Sequence, residues 1–224
     1  MRGDRANRLA IFDCDGTLVD SGHNICVAME ACFERAQLPA PPRERTRRVV
    51  GLSLLEAMQA MAPDAEPHVH VALANDYKQA FQQLRGHGLV EEPLYEGIAD
   101  LIDTLDEGGW LLGVATGKSD RGLHLCLDHH RLKPRFVTLQ TADRHPSKPH
   151  PSMIEAAMAE AGSGPETTIM IGDTSFDMAM ARAAGVTAIG VAWGYHEVQE
   201  LESAGADYVV DHPSQIAQLV SRLP

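Results

Sequence analysis

Hydrophobic and polar positions along this chain change rhythm twice. Leu9 to Phe12 is an uninterrupted apolar run that stops abruptly at Asp13, the pattern of a short strand buried on both faces of a parallel sheet. From about Asn24 to Gly86 the apolar positions fall at helical spacing. Segments 24–37, 43–50, 54–61 and 69–84 read as helices, punctuated by Pro39, Pro41 and Pro42 and by Gly51, Gly86 and Gly88. After Gly88 the pattern alternates: helices are expected over 98–107, 119–130, 152–161, 176–184, 197–204 and from 213. Strands are expected between them over 110–115, 136–139, 168–171, 188–191 and 208–210.

Strand and helix in turn imply right-handed crossovers and a doubly wound parallel sheet, an α/β fold of Rossmann-like type. The helical stretch interrupts it, so the expected organisation is a core of 1–20 and 89–224 with an all-helical unit, 21–88, inserted after the first strand. Open sheets of this kind bind ligands at their carboxyl edge. Residues just past strand ends are therefore the ones to inspect.

Composition narrows the class. The 224 residues are 44% hydrophobic and 22% charged, a globular makeup able to bury a sizeable core. Acidic side chains outnumber basic ones 31 to 19, for a net charge of -12. Nucleic acid is thereby disfavoured as a partner, because a polyphosphate needs a basic stripe and the Arg-rich stretch 43–48 is too short to supply one. No apolar run approaches the ~18 residues of a membrane span. The arginines of 1–8 precede only the short run Leu9 to Phe12, which is no signal-peptide core. Cys14, Cys26, Cys32 and Cys126 show neither C-x-x-C pairing nor zinc-finger spacing, so a reducing cytoplasm is the expected compartment. His124, His129 and His130 are the tightest histidine group, but no carboxylate completes a metal set there.

Four loops carry candidate chemistry. After the first strand come Asp13-Cys14-Asp15-Gly16-Thr17: two carboxylates leaving a buried strand are costly unless a cation or a reaction needs them. Asp20 and Ser21, just beyond, read as a helix N-cap. Ala115-Thr116-Gly117-Lys118-Ser119 ends a strand and opens a helix, gathering N–H groups and a hydroxyl around an anion. It is no P-loop, since Gly113 and Gly117 enclose three residues where that motif needs four. Lys148 precedes Pro149 and a helix, and its point charge could neutralise a carboxylate and a phosphate together. Gly172-Asp173-Thr174-Ser175-Phe176-Asp177 follows another strand; Asp177 doubles as a candidate helix cap, and the segment lacks the Gly and Glu of a calcium hand. An oxygen-rich set of this kind suits Mg²⁺ and phosphoryl transfer.

Asp-Cys-Asp-Gly-Thr at 13–17, Thr116, Lys148 and Gly-Asp-Thr-Ser-Phe-Asp at 172–177 resemble, in order and spacing, the four motifs of the haloacid dehalogenase superfamily of phosphohydrolases. The helical insertion resembles that family's small cap domain. Phe-Asp-x-Asp-Gly-Thr-Leu-Val-Asp-Ser at 12–21 and Lys-Pro-x-Pro at 148–151 are most similar to phosphoglycolate phosphatases. Ala-Arg-Ala-Ala-Gly-Val at 181–186 and Trp-Gly-Tyr at 193–195 are shared with sister phosphatases as well.

The resemblance implies that Asp13 attacks phosphorus and becomes an aspartyl-phosphate, while Asp15 protonates the leaving oxygen and then deprotonates water. It implies Mg²⁺ on the Asp13 carboxylate, the Asp15 main-chain carbonyl and Asp173, with Asp177 supporting from behind. Thr116 and the Gly117 N–H would hold phosphate oxygens, and Lys148 would balance charge. The cap would close over the site to exclude water. The expected partner is a small phosphate ester. Arg47 or Arg48 could receive a substrate carboxylate, as phosphoglycolate would demand, or could belong to a solvated helix face.

Asp15 disfavours dehalogenation, which has no alcohol leaving group to protonate. Schiff-base chemistry would need a cap lysine, and 21–88 offers only Lys78. A hexose-phosphate mutase, a pyrophosphatase, or a Mg²⁺/phosphate-binding module without turnover are the alternatives.

Overall fold

The computed structural model describes residues 7–222; positions 1–6 and 223–224 of the expected core lie outside the described residues. Its strands are β1 (Asn7–Phe12), β2 (Trp110–Thr116), β3 (Phe136–Thr141), β4 (Ser163–Gly172), β5 (Thr187–Val191) and β6 (Tyr208–Val210). Between β1 and β2 lie α1 (Gly22–Arg35), α2 (Arg43–Arg47), α3 (Leu54–Met61), α4 (Pro67–Gly86) and α5 (Ile98–Glu107). The later helices are α6 (Asp120–His129), α7 (Ser152–Ala161), α8 (Ser175–Ala184), α9 (Val198–Ser203) and α10 (Pro213–Val220).

All strand pairs are parallel, in the order β3-β2-β1-β4-β5-β6. The chain builds outward from β1 through β2 to β3, then crosses back to lay β4 on the other flank of β1. That reversal is the switch point, where the carboxyl ends of β1 and β4 open a crevice. Along β1 the side chains alternate between two cores. Ala10 and Phe12 join Ile98, Ile102, Leu123, Leu127 and Ile216 on one face; Leu9 and Ile11 join Met153, Ile154, Met178 and Leu201 on the other. Burial on both faces is why the strand reads as an unbroken apolar run.

Helices α1, α3 and α4 bury a separate cluster of Met29, Cys32, Phe33, Met58, Met61 and Leu73. Two element boundaries differ from expectation by more than two residues. α2 stops at Arg47 instead of running to 50, because Gly51 takes φ +99° and the chain turns through 48–52. β4 starts at Ser163, not at 168: its polar first residues resemble a loop, yet Ser163 pairs with Asn7.

Candidate active site

The end of β1 delivers Asp13 into the switch-point crevice, where its N–H donates to the Ile171 carbonyl of β4 (2.9 Å). Cys14 packs into the apolar core beneath. The chain then folds back on itself, with Leu18 and Val19 N–H both donating to the Cys14 carbonyl. Gly16 makes this turn at φ +91°, and a Cβ there would collide with the Asp173 carboxylate. Glycine is required on both counts. Thr17 Oγ1 donates to Asp173 Oδ1 (2.8 Å), and the Tyr195 N–H donates to Asp173 Oδ2 (2.9 Å).

Asp13, Asp173 and Asp177 converge so closely that one oxygen from each lies within 4.8 Å of the others. All three are fully buried. Asp177 is occupied: Oδ2 accepts from the Thr174 N–H (3.1 Å) and hydroxyl (2.7 Å), capping α8, and Oδ1 accepts from Lys148 Nζ (2.6 Å). It therefore serves as helix cap and as anchor for Lys148 together. Lys148 Nζ also lies 2.8 Å from Asp13 Oδ1, but among the described residues neither oxygen of Asp13 accepts an aligned hydrogen bond.

Ionised together, the three carboxylates face a single ammonium, an imbalance too costly for a buried site to carry alone. Burial, opposed by Lys148 and reinforced by Asp177, pushes the Asp13 carboxyl up to about 7. Burial and the charges of Asp13 and Asp177 likewise drive Asp173 well above the carboxylate range. The donor set consists of hard oxygens, leaves two buried acceptors free on Asp13 among the described residues, and has one ammonium for three carboxylates. A divalent oxygen-seeking cation such as Mg²⁺ fits all three features.

Asp15 faces elsewhere. Its Oδ1 accepts from Ser21 Oγ (2.5 Å) and Lys118 Nζ (2.7 Å). Ser21 is the residue before α1, but its hydroxyl caps no helix N–H; it goes to Asp15 instead. Thr116 is buried at the end of β2, its Oγ1 accepting from the Lys118 N–H (3.2 Å). Gly117 lies beneath the 51–53 loop, so tightly that a Cβ would stand 2.5 Å from the Leu52 carbonyl oxygen and 2.7 Å from that of Gly51. The same loop is tied to the core where the Ser53 N–H donates to Ser147 Oγ (2.8 Å).

Arg48 is already engaged: its guanidinium makes a two-pronged pair with Glu200, and its carbonyl accepts from His196 Nε2 (3.2 Å). Arg47 makes no ion pair among the described residues. With Arg48 it lines a cleft of about 380 Å³ that also includes Asp20, Glu44, Glu197, Tyr95 and Trp193. His124, His129 and His130 do not assemble as ligands; His130 Nε2 donates to the Glu92 carbonyl (2.7 Å) and stacks edge-on with His129.

That Ser21, Lys118, Glu92 and Gly194 surround the site's carboxylates was not evident in the sequence. Gly194 sits against Asp173 with no room for a Cβ; its signal was the Trp-Gly-Tyr segment.

The family profile described as haloacid dehalogenase-like hydrolase matches residues 10–191. The chain is 36% identical to the probable phosphatase IndB of Dickeya dadantii, over 93% of this chain and 91% of that one. It is 28% identical to pyrophosphatase PpaX of Bacillus pumilus over 94% of each, and 25% identical to a phosphoglycolate phosphatase of Vibrio parahaemolyticus over 96% of each. A crystal structure of a predicted phosphatase from Clostridium acetobutylicum superposes with TM-score 0.87 at 24% identity, covering 98% of this chain and all of that one, which establishes the shared fold. No helix among the described residues is long and apolar enough to cross a membrane. With the family's profile spanning β1 to β5 and the four motif loops gathered at one sheet edge, the chain belongs to the haloacid dehalogenase-like hydrolases.

Proposed function

We propose that this hydrolase removes phosphate from small phosphomonoesters through an aspartyl-phosphate on Asp13. The carrying observation is Asp13 itself: a fully buried carboxylate at the switch point, beside an ammonium, with both oxygens free of hydrogen bonds. Such a group is held in place by its backbone and left free to attack.

Asp13 Oδ attacks phosphorus, the P–O bond to the alcohol breaks, and the leaving oxygen takes a proton from Asp15. Water then attacks the aspartyl-phosphate, losing its proton to Asp15 and releasing phosphate. Thr116 Oγ1 and the Gly117 N–H hold phosphate oxygens while Lys148 offsets the charge on Asp13 and the transferring group. The Asp13 and Asp173 carboxylates and the Asp15 main-chain carbonyl would hold Mg²⁺, with Asp177 fixing Lys148 and α8 from behind. When bound, the metal neutralises phosphate oxygens as a Lewis acid.

Residues 21–88 act as the cap. The seating of 51–53 on Gly117 and Ser147 supports this, since it covers the phosphate loop and excludes water. Arg47, whose guanidinium lines the cleft with no ion pair among the described residues, is the candidate for a substrate carboxylate, which makes a phosphoglycolate-like ester the first choice. The PpaX relative makes pyrophosphate the second. The four buried, unbridged cysteines are in keeping with a reducing cytoplasm.

The test is phosphate release with Mg²⁺ from phosphoglycolate, sugar phosphates, nucleotides and pyrophosphate, by wild type and Asp13→Asn. Wild type should turn over at least one of them and Asp13→Asn none; an active Asp13→Asn would sink the assignment. Interconversion of sugar phosphates without net release would mean a mutase instead.

A further inference from the structure

A chain of charges ends on Asp15, and the proposed reaction gives its other members no role. Lys118 Nζ bridges Asp15 Oδ1 (2.7 Å) and Glu92 Oε1 (2.9 Å), and Glu92 Oε2 accepts from Arg85 Nη2 (2.8 Å). The Lys118, Asp15 and Glu92 side chains are 9%, 11% and 5% exposed. These residues come from three places. Lys118 stands in the loop between β2 and α6, Arg85 in the last turn of α4, and Glu92 in the segment that returns from α4 to the core.

The chain is clamped from both sides. Lys118 Nζ and the Arg85 guanidinium lie 5.9 and 5.7 Å from the Phe81 ring, which is also on α4. The backbone around Glu92 is fixed by His130 Nε2 on the Glu92 carbonyl and by Asn24 Nδ2 on that of Glu91. Burial works against a charged Lys118, but Asp15 and Glu92 hold its ammonium well above the usual range. Burial likewise opposes a charged Glu92, and Lys118 and Arg85 outweigh it. Removing so many charges from water costs more than packing hydrophobic side chains in the same volume, so stability alone does not account for the arrangement.

Its geometric effect falls on Asp15. Lys118 and Ser21 both bind Oδ1, which fixes the carboxyl rotamer and leaves Oδ2 with no hydrogen bond among the described residues. We propose that Lys118 and Glu92 are positioning residues that aim Asp15 at the leaving oxygen, and that seating α4 and the Glu92 segment against the core assembles them. Delivery of the proton is thereby tied to closure of the helical unit. This inference rests on the hydrolytic reading above.

Leaving groups separate this role from a merely structural one. An alkyl phosphate needs its leaving oxygen protonated, whereas p-nitrophenolate departs without help. The quantity to compare is kcat/KM with Mg²⁺, which reports phosphoryl transfer to Asp13, for an alkyl phosphate the wild type hydrolyses and for p-nitrophenyl phosphate. Lys118→Met and Glu92→Gln should each lower it about 100-fold on the alkyl ester and less than about 10-fold on the aryl ester. In an Asp15→Asn background, Lys118→Met should leave the alkyl-to-aryl ratio where Asp15→Asn put it. Equal losses on both substrates, no loss on either, or a further change of ratio in that background overturns the proposal. Circular dichroism establishes that each variant is folded, and if Lys118→Met is not, Glu92→Gln carries the comparison. Release that does not depend on Asp13 refutes the hydrolytic reading itself; Asp13-dependent release with equal losses refutes only the positioning role.

Discussion

Stripped of divalent cations, this protein should be less stable at neutral pH than in mild acid, and Mg²⁺ should reverse the trend. Burial, with Lys148 opposing and Asp177 adding, raises Asp13 from 3.8 to about 7. A carboxyl whose folded pKa lies above its unfolded one stabilises the fold while protonated. That contribution is whole below the unfolded value and is lost as pH rises through the folded one. The window therefore runs from about 4 to about 7, and roughly three units at 1.36 kcal/mol each make the loss about 4 kcal/mol. Asp173, also raised, acts in the same direction. Against a total stability of about 5–15 kcal/mol, this is a large fraction.

Urea unfolding at about pH 5, 6, 7 and 8, in chelator and in excess Mg²⁺, reads the effect directly. In chelator the midpoint should fall as pH rises. With Mg²⁺ the gain should be small at the acid end and largest at the alkaline end, because the metal competes with protons for the same oxygens. Asp13→Asn should flatten most of the slope in chelator. A chelated protein as stable at about pH 8 as at about pH 5, or a Mg²⁺ gain independent of pH, would refute the reasoning from buried, undercompensated carboxylates.

Gly194→Ala drives a Cβ into the Asp173 carboxylate, so it should abolish the Mg²⁺-dependent rise in melting temperature along with turnover; a retained rise contradicts the role given to Asp173. Gly117→Ala pushes against the Leu52 and Gly51 carbonyls and should lower kcat at least about 10-fold by holding the 51–53 loop off the site, while steady-state rates equal to wild type would show that this seating is dispensable. The two arginines should behave differently. Arg47→Ala should raise KM for carboxylate-bearing phosphates about 10-fold, and Arg48→Ala, which breaks the exposed pair with Glu200, should change stability by less than about 1 kcal/mol and KM little; titration of rates against substrate concentration distinguishes them.

The architecture was legible because each strand announced itself at its polar end. Leu9 to Phe12 breaks at Asp13, Thr168 to Ile171 runs into Gly172 and Asp173, and the interruption by helical periodicity separates the two. The boundary missed by most is one where local chemistry disagrees with tertiary pairing: Ser163 is a polar residue recruited into β4 by Asn7. The clustered aspartates were legible for a related reason: acidic residues at strand ends are anomalous in any bland reading. Ser21 and Lys118 were not, since each has an ordinary local explanation, a helix cap and a loop lysine. Nothing local tells that the Lys118 ammonium reaches Asp15, 103 positions earlier, or that Glu92 comes back to share it.

The two lysines divide the site by charge. Lys148 faces three buried carboxylates and falls short of balancing them, so its half of the site is built around a deficit that a cation would fill. Lys118 and Arg85 pair with Asp15 and Glu92 on the other side, so that half is held by its own ion pairs. Asp13 and Asp15 are separated by a single residue whose side chain is sunk in the core, and that placement lets one short loop serve both halves. The net charge of -12 thus belongs mostly to the surface. Inside, the excess is confined to the half where a metal and a phosphate would meet, and the carboxylates of the other half each have a cation beside them.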